Sequence, residues 1–458
     1  MLKRVLIANR GEIAVRIIRA CMDASVGTAA VYSEPDAEAL HVMLADRAVC
    51  IGKGPAPASY LNMDNIIEAA KGTKCDAIHP GFGFLSENAE FARKCEENGL
   101  RFIGPSAESI ALLGDKAEAR RAMRRAGIPV VPGSDGPVAG ASEAAAIAEE
   151  IGYPVLIKAA SGGGGRGLRR ADSSGEILSA YREAALEAEK CFGDDRMYVE
   201  KLIENPRHVE FQILADHFGN TIHLGERNCS IQRRNQKMLE EAPDWNLSGE
   251  LREKMGRDAV RAAEAARYRN AGTVEFIVSG DDYYFIEMNT RIQVEHPVTE
   301  MVTGIDIVRE QLRIASDLPL EIRQEDVRIR GHAIECRICA EDITRNFAPA
   351  PGTVDFIHFP DGIGVRVESA LYSGCELTPF YDSLAAKVIT CGSTRLEAIR
   401  RMRRALSEMI IEGIPTTLPL EHLILYDQDF LRGHYDTGYI DKNLQSMLKV
   451  YEAAAGRK

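Results

Sequence analysis

The 458-residue sequence predicts a multidomain protein that combines α/β and α+β regions. At the N-terminus a strand over 4–8, a helix over 12–22 and a strand over 28–32 follow one another, an order typical of a doubly wound parallel sheet. A cluster of Gly and Pro residues over 127–140 then indicates a hinge or linker. Because a single hydrophobic core rarely grows beyond about 250–300 residues, we expect two to four domains.

The composition argues against several classes of partner. Hydrophobic residues make up 45% and charged residues 27% of the chain, as in ordinary globular proteins. A net charge of −12 without a lysine-rich block argues against nucleic acid, and no apolar run approaches the roughly 18 residues of a membrane span. Ten scattered cysteines predict reduced thiols and a cytoplasmic location. The CxxC at Cys336 and Cys339 fits chance placement on a strand better than a zinc site.

The first turn of the N-terminal unit, Asn9-Arg10-Gly11, lacks the GxGxxG pattern of dinucleotide sites. The unit therefore resembles a Rossmann-type domain without the cofactor. The alternation of strands and helices continues to residue 114 and includes a glycine-rich segment over 77–87, where a strand ends. Open parallel sheets place ligands at such exits.

The second module combines a basic helix over 115–126 with a strand over 154–159 that contains Lys158. The sequence SGGGGRG follows at 161–167. Successive glycines let backbone NH groups wrap a phosphate, and the alternative is a flexible linker. Because the glycine run lies between a strand and arginines, a phosphate-binding loop is favoured over a linker. The run is not a Walker loop, since no GK[ST] follows it. The later elements are strands over 197–202, 208–215 and 221–226, a basic segment over 231–237 and a helix over 248–268.

Two runs rich in β-branched and aromatic residues, 273–278 and 283–288, flank Ser-Gly-Asp-Asp and predict a β-hairpin. A turn centred on the first aspartate places Glu275 opposite Glu287 on one face. Two carboxylates about 5 Å apart repel by roughly 3 kcal/mol at an effective dielectric of about 20, which favours a cation between them. Oxygen ligands from this pair and Asn289 suit Mg²⁺ or Mn²⁺, and the alternative is a solvated polar face.

From about residue 331 the pattern changes to short strands and one helix, which predicts an α+β closing region. The predicted elements are strands over 332–339, 352–359, 364–368 and 384–390 and a helix over 395–411. Residues 449–458 are predicted to be a frayed tail.

A strand lysine, a polyglycine loop and a carboxylate hairpin together predict a nucleoside triphosphate held between a lid and a sheet. The motifs that extend this pattern are ANRGEIAVRIIRA (8–20), HPGFGFLSEN (79–88), GDKAEAR (114–120), KAASGGGGRGLR (158–169), EKLIENPRHVEFQ (200–212), ERNCSIQRRNQK (226–237), EFI (275–277) and FIEMNTRIQVEHPVTE (285–300). Over nearly the whole chain they resemble the biotin carboxylase family of the ATP-grasp superfamily.

The resemblance implies a Rossmann-like N-terminal domain over 1–114 and an ATP-grasp domain over 115–330 with a mobile glycine-rich lid over about 131–203. A C-terminal biotin carboxylase domain over 331–448 and the tail over 449–458 complete the chain. ATP and bicarbonate would form carboxyphosphate, and biotin would receive the CO2. The implied cofactors are ATP and two Mg²⁺ or Mn²⁺ ions, with biotin as carrier-bound substrate. The implied partners are a biotin carboxyl carrier protein, carboxyltransferase subunits and a second copy of the chain in a homodimer.

The resemblance also implies roles for individual residues. The ATP contacts would be Lys116, Lys158, Gly163, Gly164, Gly165, Glu200, Lys201, Ile203, His208, Gln232, Asn235, Glu275 and Glu287. The metal ligands would be Glu275, Glu287 and Asn289. The bicarbonate contacts would be Lys237, Arg291, Gln293, Val294 and Glu295, and the biotin contacts Phe82 and Arg337. The catalytic residues would be Glu295 as base, Arg291, Lys237 and, facing the biotin enolate, Arg337.

Two positions depart from the family pattern. Asn235 stands where histidine is common and Phe82 where tyrosine is common. Neither change removes a predicted metal ligand or the base, so we expect activity in the first half-reaction of acetyl-CoA carboxylase. The alternatives are the same half-reaction for a pyruvate or propionyl-CoA carboxylase, a bicarbonate-activating ligase of the carbamoyl-phosphate synthetase type, and a nucleotide-binding regulator without turnover.

Overall fold

The computed structural model describes residues 2–159 and 167–456. The chain divides into two compact units: the first comprises Met1–Gly114, Arg207–Glu275 and Met288–Lys458, and the second comprises Asp115–Pro206 and Phe276–Glu287. The predicted domain limits stay predictions. Among the described residues, every helix is too short or too polar to cross a membrane.

A parallel five-stranded sheet begins the first unit, as predicted. Its strands lie in the order Arg47–Gly52, Gly27–Ser33, Arg4–Ile7, Ala77–His79 and Arg101–Phe102. Val5 and Ile7 pack into one hydrophobic core and Leu6 into another, because successive side chains of a strand point to opposite faces. The sheet is therefore covered on both faces, as a doubly wound sheet is. The helices of this region are Gly11–Asp23, Leu40–Leu44, Met63–Gly72, Ala89–Glu97 and Ala107–Gly114.

A second, larger sheet carries most of the candidate site. The strands that belong wholly or mainly to the first unit lie in the order Asn270–Ser279, Arg207–Ala215, Thr221–Arg233, Gln236–Ala242, His332–Cys339, Leu384–Gly392 and Val365–Ser369. Ile334, Cys336 and Ile338 face a hydrophobic core that they share with residues of the C-terminal helices. Glu335 and Arg337 alternate with them and face the other side. The accompanying helices are Gly249–Ala265, His296–Thr303, Ile307–Ala315 and Arg395–Glu408.

The C-terminal region has more elements than the sequence predicted. The predicted strand over 352–359 is two strands, Gly352–Thr353 and Phe356–His358, because the first pairs with Glu376–Leu377 and the second with Ile410–Glu412. The latter strand also shortens the predicted helix over 395–411, which ends at Glu408. The remaining short strands are Glu341–Asp342 and Ala348–Pro349.

Three helices follow that the sequence analysis missed, Leu418–Ile424, Gln428–Arg432 and Tyr439–Ala455. The last of these includes most of the residues predicted to be a frayed tail. Leu448 and Tyr451 of this helix pack against the hydrophobic core, so packing orders the segment.

The second unit contains a three-stranded antiparallel sheet with strands Leu168–Ala171, Val155–Ala159 and Met197–Lys201. Its helices are Lys116–Arg125, Ala141–Ile151 and Ile177–Phe192. The core between them is rich in small residues such as Ala144, Ala148 and Ala184. The predicted hairpin is confirmed as the strands Asn270–Ser279 and Asp282–Asn289, while the pairing of Glu275 with Glu287 stays a prediction.

Candidate active site

One lysine lies at the centre of a cluster of buried carboxylates. The Nζ atom of Lys237 donates hydrogen bonds to Glu210 Oε2 at 2.6 Å, Glu295 Oε1 at 2.6 Å and Glu275 Oε1 at 3.0 Å. All four side chains are buried or nearly so, with 0% to 12% of their surface exposed. Because water screens such charges poorly, the shared ammonium offsets part of the repulsion among the three carboxylates.

A tight turn sets the position of this lysine. Arg234 and Asn235 both have left-handed backbone, with φ of 50° and 64°, and join the strands Thr221–Arg233 and Gln236–Ala242. Asparagine tolerates this conformation well, which accounts structurally for Asn235. The predicted strand over 221–226 is thus too short, since pairing continues past a register shift to Arg233. Gln232 lies directly opposite Lys237 in the hairpin.

Glu295 is fully buried between two cations. Its Oε2 accepts a hydrogen bond from Arg337 Nη2 at 2.8 Å, opposite the contact with Lys237. Burial by itself raises the pKa of Glu295, but Lys237 and Arg337 outweigh it and hold that pKa well below its usual range. Burial likewise raises the pKa of Glu275, and Lys237 and His208 overcome this effect and lower it. Both groups are therefore carboxylates at neutral pH.

The predicted bicarbonate residues adjoin this cluster. Arg291 donates from Nη1 to Gln293 Oε1 at 2.8 Å, from Nη2 to Asn289 Oδ1 at 3.3 Å and from Nε to Glu87 Oε2 at 3.0 Å. The amide groups of Gln293 and Asn289 in turn donate to Glu275 at 3.0 and 2.8 Å. A continuous set of hydrogen bonds thus connects the guanidinium to the carboxylate cluster. Glu87 is a site residue that sequence reasoning did not assign.

Three further residues of the site were missed. Glu210 follows His208 by two positions in a strand, so both side chains point to the same face of the sheet. This alternation of strand side chains could have identified Glu210 from the sequence. Arg227 is fully buried and donates to Glu210 at 2.6 Å, which no local pattern indicates. Glu240 accepts from Arg337 Nε at 2.6 Å. The predicted ATP residue His208 has its Nε2 3.1 Å from Glu275 Oε2.

Other predicted ATP residues come together in the second unit. Lys158 Nζ donates to Glu200 Oε2, and Arg120 donates to the other oxygen of Glu200 at 2.7 Å. Leu156 and Glu200 are register partners, so Lys158 and Glu200 share a face of the sheet. The Nζ of Lys201 instead donates to the backbone oxygen of Tyr153 at 2.7 Å.

The structure also describes the predicted site residues Lys116, Phe82, Val294 and Ile203. Lys116 is 84% exposed, with its Nζ 3.5 Å from Glu287 Oε2. Phe82 and Val294 accept hydrogen bonds at their backbone oxygens, from Asn9 and Lys387 respectively. Ile203 is half-buried, and Gly163, Gly164 and Gly165 lie outside the described residues.

The chemistry of the predicted metal ligands suits Mg²⁺ or Mn²⁺. Glu275 is ionised and attracts an ammonium and two amide groups, and Glu287 has the ammonium of Lys116 beside it. Carboxylate oxygens that attract positive groups fit a hard divalent cation, with the amide oxygen of Asn289 as a further donor. Each side chain therefore has the ligand chemistry of the predicted metal ions, and the metal site that they would share stays a prediction.

Comparisons with known proteins cover almost the entire chain. Residues 1–110 match the biotin carboxylase N-terminal domain, residues 115–323 the ATP-binding domain of the carbamoyl-phosphate synthase L chain, and residues 335–442 the biotin carboxylase C-terminal domain. Biotin carboxylase 1 of Bacillus subtilis (strain 168) is 55% identical, over 96% of this chain and 98% of its own length. One subunit of the pyruvate carboxylase of Methanothermobacter thermautotrophicus is 51% identical, over 96% of this chain and 90% of its own length.

A solved structure agrees with these relatives. The biotin carboxylase domain dimer of the Hydrogenobacter thermophilus 2-oxoglutarate carboxylase, in complex with MgADP, ADP and bicarbonate, superposes with a TM-score of 0.90. It is 51% identical and is aligned over 98% of this chain and 99% of its own. The chain belongs to the biotin carboxylase family, ATP-dependent ligases that carboxylate biotin.

Proposed function

We propose that this chain carries out the ATP-dependent carboxylation of biotin as the first half-reaction of an acetyl-CoA carboxylase, with Glu295 as the general base. The observation that carries the proposal is the position of Glu295, a buried carboxylate between Lys237 and Arg337. A base must be ionised and within hydrogen-bond reach of its proton donor. The lowered pKa of Glu295 satisfies the first condition.

Arg291 is the proposed binding residue for bicarbonate. Its guanidinium matches a planar carboxylate-like anion with two parallel N–H donors. Gln293 holds Nη1 of Arg291, and bicarbonate would compete with Glu87 for the guanidinium. The proton of the bicarbonate hydroxyl then passes to an oxygen of Glu295, and the freed oxygen attacks the γ-phosphorus of ATP to give carboxyphosphate and ADP.

Lys237 and Arg337 are proposed to act on the charges that change during these steps. Lys237 orients Glu295 by a 2.6 Å hydrogen bond and is the positive group nearest to it. Arg337 stabilises the enolate that biotin forms when N1 loses its proton, because a fixed guanidinium stabilises a developing oxyanion. Carboxyphosphate breaks its C–O bond to give CO2 and phosphate, and the released phosphate takes up the N1 proton. N1 of biotin then forms a bond with the carbon of CO2.

The nucleotide is proposed to bind through Lys116, Lys158 and the glycine-rich loop. Glu275, Glu287 and Asn289 would hold Mg²⁺ or Mn²⁺, which neutralises phosphate charge when bound. Lys158 is now engaged by Glu200, so an incoming triphosphate would replace one anionic partner with another. Glu200, Lys201, Ile203, His208 and Gln232 are proposed to complete the nucleotide site.

The partners follow from the substrate. Biotin is proposed to arrive on a separate carrier protein and to pass to carboxyltransferase subunits. The relative that belongs to a pyruvate carboxylase favours pyruvate as a second candidate acceptor. A homodimer is proposed because the Hydrogenobacter domain is described as a dimer. The cytoplasmic location stays a prediction from the ten unpaired cysteines.

The test is ATP cleavage and carboxylation of free biotin with and without bicarbonate, in the parent chain and in Glu295→Gln. The amide keeps the size of the side chain but cannot take up the proton, so we expect carboxylation to fall about 100-fold or more. Glu241→Gln is a matched control, since Glu241 is also buried and paired with an arginine. Bicarbonate-dependent activity that survives in Glu295→Gln would refute the role of the base. Identification of the biotinylated protein that copurifies with the chain distinguishes the two acyl acceptors.

A further inference from the structure

The guanidinium of Arg337 is held by two carboxylates. Nη2 donates to Glu295 Oε2 at 2.8 Å, while Nε and Nη2 both lie close to Glu240 Oε1, at 2.6 and 2.5 Å. Glu240 is fully buried, and its second oxygen has no hydrogen-bond partner among the described residues. In the described part of the chain, the Glu240 side chain thus hydrogen-bonds only to Arg337, through a single oxygen.

A third carboxyl group lies beside Glu240. Glu335 is its register partner on the neighbouring antiparallel strand, so the two side chains share one face of the sheet. Glu335 is fully buried, and in the described chain neither of its oxygens receives a hydrogen bond. Two adjacent carboxylates in a dry environment repel strongly, so one of the pair keeps its proton.

The proton belongs on Glu335. Burial raises the pKa of Glu335 well above its usual range, and Lys387 and Arg337 only partly oppose this effect. Burial raises the pKa of Glu240 only to about 7, because Arg337 donates directly to Glu240 and favours its ionised form. The arrangement is therefore a neutral acid at Glu335, an anion at Glu240 and a cation at Arg337.

The two lysines near Arg337 have their own partners. Lys387 lies opposite Arg337 on the next strand, but its Nζ is 3.0 Å from Glu12 Oε1 and donates to the Val294 oxygen at 2.8 Å. Lys237 is surrounded by the carboxylate cluster described above. Only Glu240 and Glu295 remain as anionic partners of Arg337 among the described residues.

The proposed mechanism removes one of these two anions in each cycle, because Glu295 takes up a proton from bicarbonate. At that stage Glu240 is the remaining anionic partner of Arg337. We propose that Glu240 is a positioning residue that keeps the Arg337 guanidinium in place for the biotin enolate while Glu295 is protonated, with Glu335 beside it as a neutral acid. This inference rests on the proposed role of Arg337.

A positioning role has a kinetic signature that a structural role lacks. Glu240 acts on the step that involves biotin, so Glu240→Gln should lower kcat for carboxylation of free biotin about 10- to 100-fold. The KM for ATP and the bicarbonate-dependent ATP cleavage without biotin should change less than twofold. Glu240→Asp keeps the charge and should restore part of the lost kcat. Glu241→Gln removes a buried carboxylate paired with Arg395 on the other face and should lower stability without this kinetic split.

A double-mutant cycle completes the test. If Glu240 works through Arg337, the double variant Glu240→Gln with Arg337→Gln should be no slower than Arg337→Gln alone. Two outcomes would overturn the inference and leave the proposed function intact. In the first, the losses of the two single variants multiply in the double variant. In the second, Glu240→Gln carboxylates biotin normally while Arg337→Gln is impaired. Normal carboxylation in Arg337→Gln would instead refute the proposed function of Arg337.

If Glu240→Gln does not fold, Glu240→Asp and Glu335→Gln still test the inference. Glu240→Asp then takes its place: a loss of kcat with unchanged biotin-independent ATP cleavage supports the inference, and equal losses in both overturn it. Glu335→Gln imitates the neutral acid and should slow carboxylation less than Glu240→Gln does. A greater loss in Glu335→Gln would show that the negative charge resides on Glu335 and would overturn the assignment.

Discussion

The Nζ atom of Lys237 lies 2.6 Å from Oε1 of Glu295, and the same ammonium also holds Glu210 and Glu275. A single cation thus neutralises part of a cluster of three carboxylates that water barely reaches. The cluster forms only because neighbouring strands and the start of the helix His296–Thr303 bring these groups together. The first prediction follows from this dependence.

Lys237→Gln should impair both activity and stability. The variant leaves three buried carboxylates without their common cation, so the free energy of unfolding should fall by about 3 kcal/mol. Bicarbonate-dependent ATP cleavage should fall about 100-fold, the usual effect of removing one positioned electrostatic donor. Urea denaturation and steady-state kinetics measure the two effects. Lys71→Gln is the control, because the exposed Lys71 forms a surface ion pair with Glu68 at 3.3 Å.

Glu287→Gln should weaken the dependence on metal without unfolding the protein. The Glu287 side chain is 37% exposed, so the loss of its charge costs little stability. Loss of one anionic ligand should raise the Mg²⁺ concentration for half-maximal ATP cleavage about tenfold. Asp282→Asn tests the loss of an exposed charge elsewhere on the same strand. If both variants need the same Mg²⁺ concentration as the parent chain, Glu287 is not a ligand.

Asn235→His should make nucleotide binding depend on pH. Histidine also tolerates the left-handed backbone of this exposed turn position, where φ is 64°. With an ordinary pKa of about 6.5, the imidazole is cationic below neutrality and would attract phosphate. The KM for ATP of the variant should be about threefold lower at pH 6 than at pH 8, relative to the parent chain. An identical pH dependence of the KM for ATP in the two proteins would show that residue 235 does not act on the bound nucleotide.

His41 should make the fold less stable in mild acid. Burial lowers the pKa of His41 to about 4, from an ordinary value of 6.5, despite the charge of Asp36 nearby. The unfolded chain therefore binds a proton more readily than the folded chain, so stability is lost as the pH falls from about 6.5 to 4. One group with this shift contributes about 3 kcal/mol of that loss.

The corresponding experiment compares urea denaturation of the parent chain and of His41→Gln at pH 7.5 and pH 4.5. The neutral amide cannot take up the proton, so the difference between the two pH values should be smaller in the variant. His434→Gln is the control, because His434 is exposed. An unchanged pH dependence in His41→Gln would contradict the prediction.

Strong local patterns predicted several elements closely. The strand His332–Cys339 has the predicted limits, and the hairpin around Gly280 lies where its β-branched runs indicated. The break between the strands Gly352–Thr353 and Phe356–His358 and the short helices Leu418–Ile424 and Gln428–Arg432 were not predicted, because their limits depend on packing and on pairing with distant segments. A periodic pattern needs more residues than these elements contain.

The sequence by itself determined which residue types bear the chemistry: the family motifs that contain Glu275, Arg291, Glu295 and Arg337 are contiguous stretches and can be recognised without a structure. Only the tertiary structure decided that Glu210 and Lys237 touch and that Glu240 and Glu335 lie side by side next to Arg337. The physical reason is that the order and register of strands distant in sequence fix which charges meet, and those strands are aligned by the whole fold rather than by any local segment.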